Sequence, residues 1–221
     1  MPCDPHLCHS RRKRGSVMSD AKFWNRMARR YARSPVGDEE AYRAKLAKTQ
    51  EFLGPGSEVL ELGCGTGTTA IHHAPIVRHI DCVDFAEGLL DIARQKARDA
   101  GVTNITFIQC AAGTYPVKPA AYDMVMAHSL LHLLRDRQAL LGRIHDMLRP
   151  GGRFVSSTAC LGDNRLLSTV LPLGSKLGLL PALAFFTEDE LIAEVEAAGF
   201  EVEHRWTPKP KAAMFLIARK P

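Results

Sequence analysis

The feature that most constrains this chain is the alternation of short apolar runs with amphipathic helical patterns after residue 57. Apolar runs and helical patterns follow one another in chain order, with runs near 58–63, 78–84, 104–110, 122–128 and 152–159 and helices near 67–75, 86–100 and 136–148. Alternation of this kind requires crossover connections, which predict a parallel sheet with helices on both faces. The final segments FEVEHRW and MFLIARK flank a turn-rich stretch and predict an antiparallel hairpin. We therefore predict an α/β fold with a seven-stranded, mostly parallel sheet.

The sequence around this alternation divides into further parts. Residues 1–19 contain the block RRKRGS and few apolar residues, which predicts a disordered basic tail. Apolar residues recur at helical spacing in residues 20–53, which we interpret as an N-terminal helical lid. Residues 54–221 are predicted to form the main domain. Its leucine-rich segment 160–186 is expected to roof the substrate cleft, or instead to pack at a sheet edge or in a dimer interface.

The charge distribution argues against a nucleic-acid enzyme. The formal charge is +5, but residues 1–50 hold 12 Lys and Arg against 5 Asp and Glu, and the remaining chain holds 17 against 19. Proteins that bind nucleic acid line the contact surface with basic residues, because phosphate contacts supply much of the affinity. We expect the substrate to be a small molecule. Two further possibilities stay open: a peripheral membrane contact through the N-terminal arginines, and a homodimer.

Targeting and metal signals are weak. The chain lacks an apolar run long enough for a membrane span and a signal-peptide core, so we expect a cytoplasmic protein. A mitochondrial transit peptide fits the clustered RRKR block poorly. Cys3, His6, Cys8 and His9 lie close together, but no second ligand cluster follows them, and we predict no metal site.

The loop in VLELGCGTGTTA, residues 59–70, defines the candidate ligand site. It does not fit the dinucleotide pattern GxGxxG, because Thr68 occupies the third glycine position, and it lacks the lysine of a phosphate-binding loop. Two carboxylates frame it instead: Glu61 within the strand and Asp84 about 20 residues further on, at a spacing typical of ribose recognition. A ligand with a ribose, a positive charge and no phosphate suits this setting. S-adenosylmethionine meets these conditions.

The chain also resembles a known family. VLELGCGTG, HIDCVDFAEGLLDIA, YPVKPAAYDMV, LLHLL, DMLRPGGRFV and FFTEDELIAEVEAAGFEV occur in the order seen in class I S-adenosylmethionine-dependent methyltransferases. Within that class the chain is similar to the ubiquinone/menaquinone C-methyltransferases and their small-molecule relatives, over roughly residues 50–206. The resemblance implies a Rossmann-like sheet. It also implies S-adenosyl-L-methionine as cofactor, contacted by Tyr31, Glu61, Gly63, Cys64, Gly65, Gly67, Asp84, Phe85, Ala111, Ala112 and His128.

Ala111 departs from the family pattern, which places an acidic residue there to bind the adenine amino group. The adenine is therefore expected to be held by backbone amides, that of Ala112 included, and by packing. This departure keeps open a non-catalytic protein of the same fold that serves in binding or assembly.

The expected reaction is methyl transfer to an apolar or amphiphilic acceptor, such as a quinone precursor or a lipid. His128 and His132 are candidate general bases, should the acceptor need to lose a proton. The basic N-terminus keeps open an RNA or protein methyltransferase as an alternative.

Overall fold

The structure is a computed structural model that describes residues 14–34, 37–134, 136–162, 183–210 and 212–221. The helices are α1 (Arg14–Arg33), α2 (Glu39–Gln50), α3 (Thr68–His73), α4 (Glu87–Asp99), α5 (Arg137–Met147) and α6 (Glu188–Ala197). The strands are β1 (Glu58–Leu62), β2 (His79–Asp84), β3 (Ile105–Gln109), β4 (Tyr122–His128), β5 (Leu148–Thr158), β6 (Glu201–Trp206) and β7 (Met214–Arg219).

The strands form one seven-stranded sheet in the order β3-β2-β1-β4-β5-β7-β6. β1 to β5 pair in parallel, and β7 pairs antiparallel with both β5 and β6. The predicted α/β fold with a C-terminal antiparallel hairpin is therefore confirmed. The order reverses between β1 and β4, and in open α/β sheets the crevice at such a switch point is where ligands bind.

The two faces of the sheet carry separate hydrophobic clusters, because successive side chains of a strand point to opposite faces. One cluster contains Leu60 and Leu62 of β1 and packs against α5 and α6. The other contains Val59 and continues through Ile80, Cys82, Met124, Met126, Val155, Phe215 and Ile217. Within β1, Glu61 is the residue that interrupts this second apolar face.

The N-terminal helices differ in how they attach to this core. α1 packs along α4, where the buried Ala28 meets Ala86 and Leu89. α1 begins at Arg14, so residues 14–19 are helical where the sequence predicted a disordered tail. The helical spacing of apolar residues continues from Ala21 back to Val17, which lies in the segment predicted to be disordered. Residues 1–13 lie outside the described part of the chain.

α2 begins at an Asp38 cap, whose carboxylate accepts a hydrogen bond from the N–H of Ala41 at 3.0 Å.

None of the helices in the described part of the chain has the length and apolar content that a membrane span requires.

A buried polar network fixes the turn after β3 against β2. The Asp81 carboxylate accepts hydrogen bonds from the hydroxyls of Tyr122 at 2.6 Å and Tyr115 at 3.2 Å, and from Lys118 Nζ at 2.9 Å. Burial alone would raise the pKa of the Asp81 carboxyl, but the bonds from Tyr122 and Lys118 outweigh it and hold that pKa below its usual range. The network therefore favours the ionised carboxylate in the folded state.

Replacing Asp81 by alanine is expected to lower the free energy of unfolding by about 2 to 3 kcal/mol, because it leaves buried hydroxyls without their charged acceptor. The contribution of Asp81 is fully present above its unfolded pKa of about 4 and is lost as the pH falls through its lower folded value. Urea unfolding at neutral and acidic pH measures both effects. The exposed Asp91→Ala is the matched control, and an equal change in both variants would contradict the prediction.

Candidate functional site

A row of polar side chains crosses the carboxyl ends of four neighbouring strands on a single face of the sheet. Glu61 pairs in register with Cys82 and with Met126, and two residues further along the same face lie Asp84 on β2 and His128 on β4. His128 in turn pairs with Ser157 of β5. The face is apolar through its centre and polar at this edge. This polar edge therefore offers charged and hydrogen-bonding groups to a polar ligand.

Glu61 is buried, with 2% of its surface exposed. Its Oε2 atom has no hydrogen-bond partner among the described residues. Burial raises the pKa of the Glu61 carboxyl to about 8; the Ala70 backbone N–H partly offsets this, and the nearby Asp84 adds to it. A buried carboxyl with a free oxygen beside a cavity suits a cationic ligand group, whose binding would favour the ionised form.

Asp84 is bound to the glycine loop. Its Oδ2 accepts a hydrogen bond from the N–H of Gly65, and its Oδ1 accepts one from the N–H of Ala86, both at 2.9 Å. Burial raises the pKa of the Asp84 carboxyl, while these N–H groups act in the opposite direction. Each carboxylate oxygen has a second lone pair, so Asp84 keeps acceptor capacity for a ligand. It does not cap α4 in the usual way, because the residue at the cap position is Ala86.

The three glycines of the loop all have positive φ values: 70° for Gly63, 55° for Gly65 and 70° for Gly67. A side chain at Gly63 would meet Leu130 at 3.0 Å, and one at Gly67 would meet Ala93 of α4 at 3.0 Å. The left-handed backbone and the close contacts explain why the sequence needs glycine here. Gly67 serves the packing of the loop on α4, and it does not line the cavity described next.

A cavity of about 800 Å³ opens between α2 and the polar edge of the sheet. Its base contains four of the predicted cofactor residues from the loop and β1, together with His128. Its walls come from α2, from the start of α3 and from the segment before β7. The polar and charged residues that line it are Ser34, Asp38, Tyr42, Lys45, Thr49, Glu61, Thr66, Thr68, Thr69, Lys96, His128, Ser129, Ser157 and Lys209.

The two candidate bases lie in different places. His128 lines the cavity, and burial, with the nearby His73 and Lys45, lowers its pKa to about 3. It is therefore uncharged at neutral pH and can accept a hydrogen bond, but it binds a proton weakly. His132 does not line this cavity; its Nδ1 is buried without a partner among the described residues, and burial lowers its pKa. Both catalytic roles stay predictions.

Asp84, Phe85, Ala111 and Ala112 were also predicted to contact the cofactor, but they are not among the residues that line this cavity. Cys64 lines the cavity, whereas Phe85 packs near Ala86 and Leu89, where α1 crosses α4. Ala111 and Ala112 follow Cys110, whose N–H donates to the backbone oxygen of Asp84 at 3.0 Å. The side chain of Tyr31 lies outside the described residues, as does most of the predicted roof, at 163–182.

α2 contributes cavity residues that the sequence reasoning did not single out. Lys45 Nζ donates a hydrogen bond to Ser157 Oγ at 2.8 Å, across 112 residues of sequence. Tyr42 lies one turn earlier on the same helix and also lines the cavity. The available signal was their three-residue spacing on a helix of low apolar content.

Comparison with known proteins agrees with this geometry. Residues 59–152 match the sequence profile of a family described as a methyltransferase domain. The chain is 30% identical over 105 residues to the ubiquinone/menaquinone biosynthesis C-methyltransferase UbiE of Vibrio vulnificus. The aligned residues make up 46% of this chain and 40% of that protein. It is 32% identical over 119 residues to the demethylmenaquinone methyltransferase of Lactococcus lactis, which is 52% of this chain and 47% of that protein.

Among solved structures, an S-adenosylmethionine-dependent methyltransferase from Mesorhizobium loti superimposes with a TM-score of 0.66 at 20% identity, covering 80% of this chain and 96% of that one. This likeness establishes the fold.

The profile match over residues 59–152, the switch-point crevice and the glycine loop confirm the resemblance to class I S-adenosylmethionine-dependent methyltransferases that the motifs indicated. Within this class the sequence is similar to the ubiquinone and menaquinone C-methyltransferases. The chain spans less than half the length of these curated relatives.

Proposed function

We propose that the protein binds S-adenosylmethionine at the polar edge of its sheet and transfers the methyl group to a small-molecule acceptor. The observation that carries this proposal is the buried Glu61 carboxyl, whose Oε2 has no partner within the described chain and which lines the cavity beside Gly63 and Gly65. A free buried acceptor is costly unless a ligand satisfies it. The positively charged ammonium group of the cofactor's methionine part would donate a hydrogen bond to this oxygen.

The residues present fit the cofactor in other respects too. Gly63 and Gly65 bring backbone to the cavity surface, and Asp84 has acceptor capacity for ribose hydroxyls. When bound, the cofactor would supply a methyl group that its sulfonium activates for transfer to the acceptor. The protein's part is to align the acceptor and to exclude water. His128 lines the cavity and is uncharged, which supports a role as hydrogen-bond acceptor toward the methyl acceptor.

The finer identity of the acceptor is also a proposal. The similarity to ubiquinone and menaquinone C-methyltransferases favours a quinone precursor or another ring compound as acceptor. An apolar roof from the 160–186 segment and the lid role of residues 20–53 would suit such a compound, and we retain both as proposals.

The decisive test is isothermal titration of the purified protein with S-adenosylhomocysteine, the product form of the cofactor. We expect binding with a dissociation constant in the micromolar range and one site per chain. Folding is verified separately by circular dichroism. A folded protein that releases no heat at high ligand concentration would overturn the proposal.

A second measurement separates the alternatives. Incubation with cofactor labelled in the methyl group, together with a small-molecule extract, should move label into the small-molecule fraction. Label in RNA or protein would instead favour a macromolecular acceptor. Cofactor binding without any label transfer would favour a non-catalytic binding protein.

A further inference from the structure

Lys45 is a half-buried cation that forms no ion pair with any of the described residues. Its Nζ donates to Ser157 Oγ at 2.8 Å and to the backbone oxygen of Ala213 at 3.4 Å, both uncharged. Among the described residues no carboxylate lies within 4 Å of it. Asp38 attracts it from farther away, but Asp38 is itself paired with Lys209 at 2.8 Å. Burial lowers the pKa of Lys45, so its surroundings disfavour the charge that it carries.

A second lysine of the same cavity shows the same pattern. Lys96 Nζ donates to the hydroxyls of Thr66 and Thr68, each at 3.1 Å, and burial lowers its pKa. It too lacks a carboxylate partner within the described chain. The cavity therefore holds two ammonium groups bonded only to neutral oxygens, while one of its two carboxyls, Glu61, has a pKa raised by burial.

The position of Lys45 assigns it to the acceptor side of the cavity. Asp84, Glu61 and the glycine loop occupy the β2 and β1 side of the polar edge, where the cofactor is proposed to bind. Lys45 contacts Ser157 of β5, and Ser157 pairs in register with His128 of β4. An acceptor at the β4 and β5 side would therefore meet the Lys45 ammonium, Ser157 and His128 together.

We propose that this protein's acceptor is a small organic anion, whose carboxylate or ionised phenol oxygen pairs with Lys45 beside Ser157. This inference deepens the proposed function, on which it rests, by naming the charge class of the acceptor. An anion repays the desolvation of Lys45 with a charge-assisted hydrogen bond. A substrate with an ammonium group would be repelled by Lys45, so protonated amines are disfavoured as acceptors.

The test uses two probes of equal shape and different charge, benzoate and benzamide, titrated by ligand-observed NMR in the presence and absence of S-adenosylhomocysteine. The wild-type protein should bind benzoate at least about tenfold more tightly than benzamide. Lys45→Met should remove this preference. Lys48→Met, which removes a charge paired with Glu51 at the end of the same helix and outside the cavity, should retain it.

Equal binding of the two probes to the wild-type protein, or no binding of either, would overturn the inference, as would an unchanged preference in Lys45→Met. This wild-type comparison decides the matter even if Lys45→Met does not fold. Titration of 4-nitrophenol above and below its own ionisation shows whether a phenolate serves as well as a carboxylate. Failure of S-adenosylhomocysteine to bind would instead overturn the proposed function, because the benzoate preference is also measured without it.

Discussion

Glu61→Gln is expected to weaken the binding of S-adenosylhomocysteine by about a hundredfold or more. The substitution keeps the shape of the side chain but removes the negative charge that would pair with the ligand's ammonium, and loss of one partner of a buried charge pair costs about 2 to 5 kcal/mol. Isothermal titration of both proteins at the same pH measures the difference. Glu58→Gln, a change on the same strand that removes a surface partner of Arg78, should leave the affinity unchanged.

The pH dependence gives this prediction a second signature. Because burial raises the pKa of the free Glu61 carboxyl to about 8, an ammonium ligand must displace its proton. Wild-type affinity should therefore rise as the pH increases toward 8, by up to about tenfold per pH unit, and level off above it. The Gln variant should lack this rise. A wild-type affinity that does not change across this range would show that Glu61 does not bind the cation.

Stability should change in the opposite sense to binding. A carboxyl whose folded pKa is raised contributes stability that declines as the pH rises from its unfolded value of about 4.3 toward 8, because the unfolded chain ionises first. The ligand-free Glu61→Gln protein should not show this decline. Above pH 8 it should therefore have a higher unfolding temperature than the wild type. Thermal unfolding at several pH values checks this, and a less stable variant at alkaline pH would contradict it.

Asp84→Ala carries the second large expected effect, a loss of cofactor affinity of about 2 to 3 kcal/mol, which is close to a hundredfold. Two causes act together. The ribose hydroxyls lose their proposed acceptor, and the N–H groups of Gly65 and Ala86 lose the oxygens that they contact at 2.9 Å. Buried N–H groups without partners also cost stability, so the free energy of unfolding should fall by about 1 to 3 kcal/mol.

Ligand analogues separate these two causes. The 2′-deoxy and 3′-deoxy forms of S-adenosylhomocysteine should bind the wild-type protein more weakly than the parent compound, and Asp84→Ala should bind all three alike. If the deoxy analogues lose the same affinity in both proteins, Asp84 only organises the loop. Asp99→Ala, an exposed position at the end of α4, controls for loss of a carboxylate. It should change neither affinity nor stability measurably.

The sheet and the cofactor half of the site could be predicted because their signals are local. Glu61 lies within one apolar run and Asp84 ends the next. An apolar run with a carboxylate near its end indicates both the strand and the edge of the sheet where that carboxylate lies. The spacing of the loop glycines is visible in the sequence, and the structure shows the positive φ values that require them. The same alternation also placed His128 at the end of β4.

The proposed acceptor side of the cavity could not be predicted from the sequence in this way. Lys45 has no sequence neighbour that marks it, and its partner Ser157 is 112 residues away, so only the folded chain brings them together. In a sequence, a lysine on a short polar helix indicates a solvent-exposed position. The prediction of an apolar acceptor came from the leucine-rich segment 160–186, most of which lies outside the described residues.

The placement of Lys45 on α2 gives the two halves of the site different evolutionary freedom. The cofactor loop is bound into the sheet through Asp84 and packed on α4 through Gly67, so substitutions there disturb the core. α2 precedes β1 in the chain, and its cavity face combines the buried Ala41, Leu46 and Thr49 with the partly exposed Tyr42 and Lys45. Under the proposed function, substitutions at Tyr42 and Lys45 can therefore change which acceptor is preferred while the cofactor loop stays unchanged.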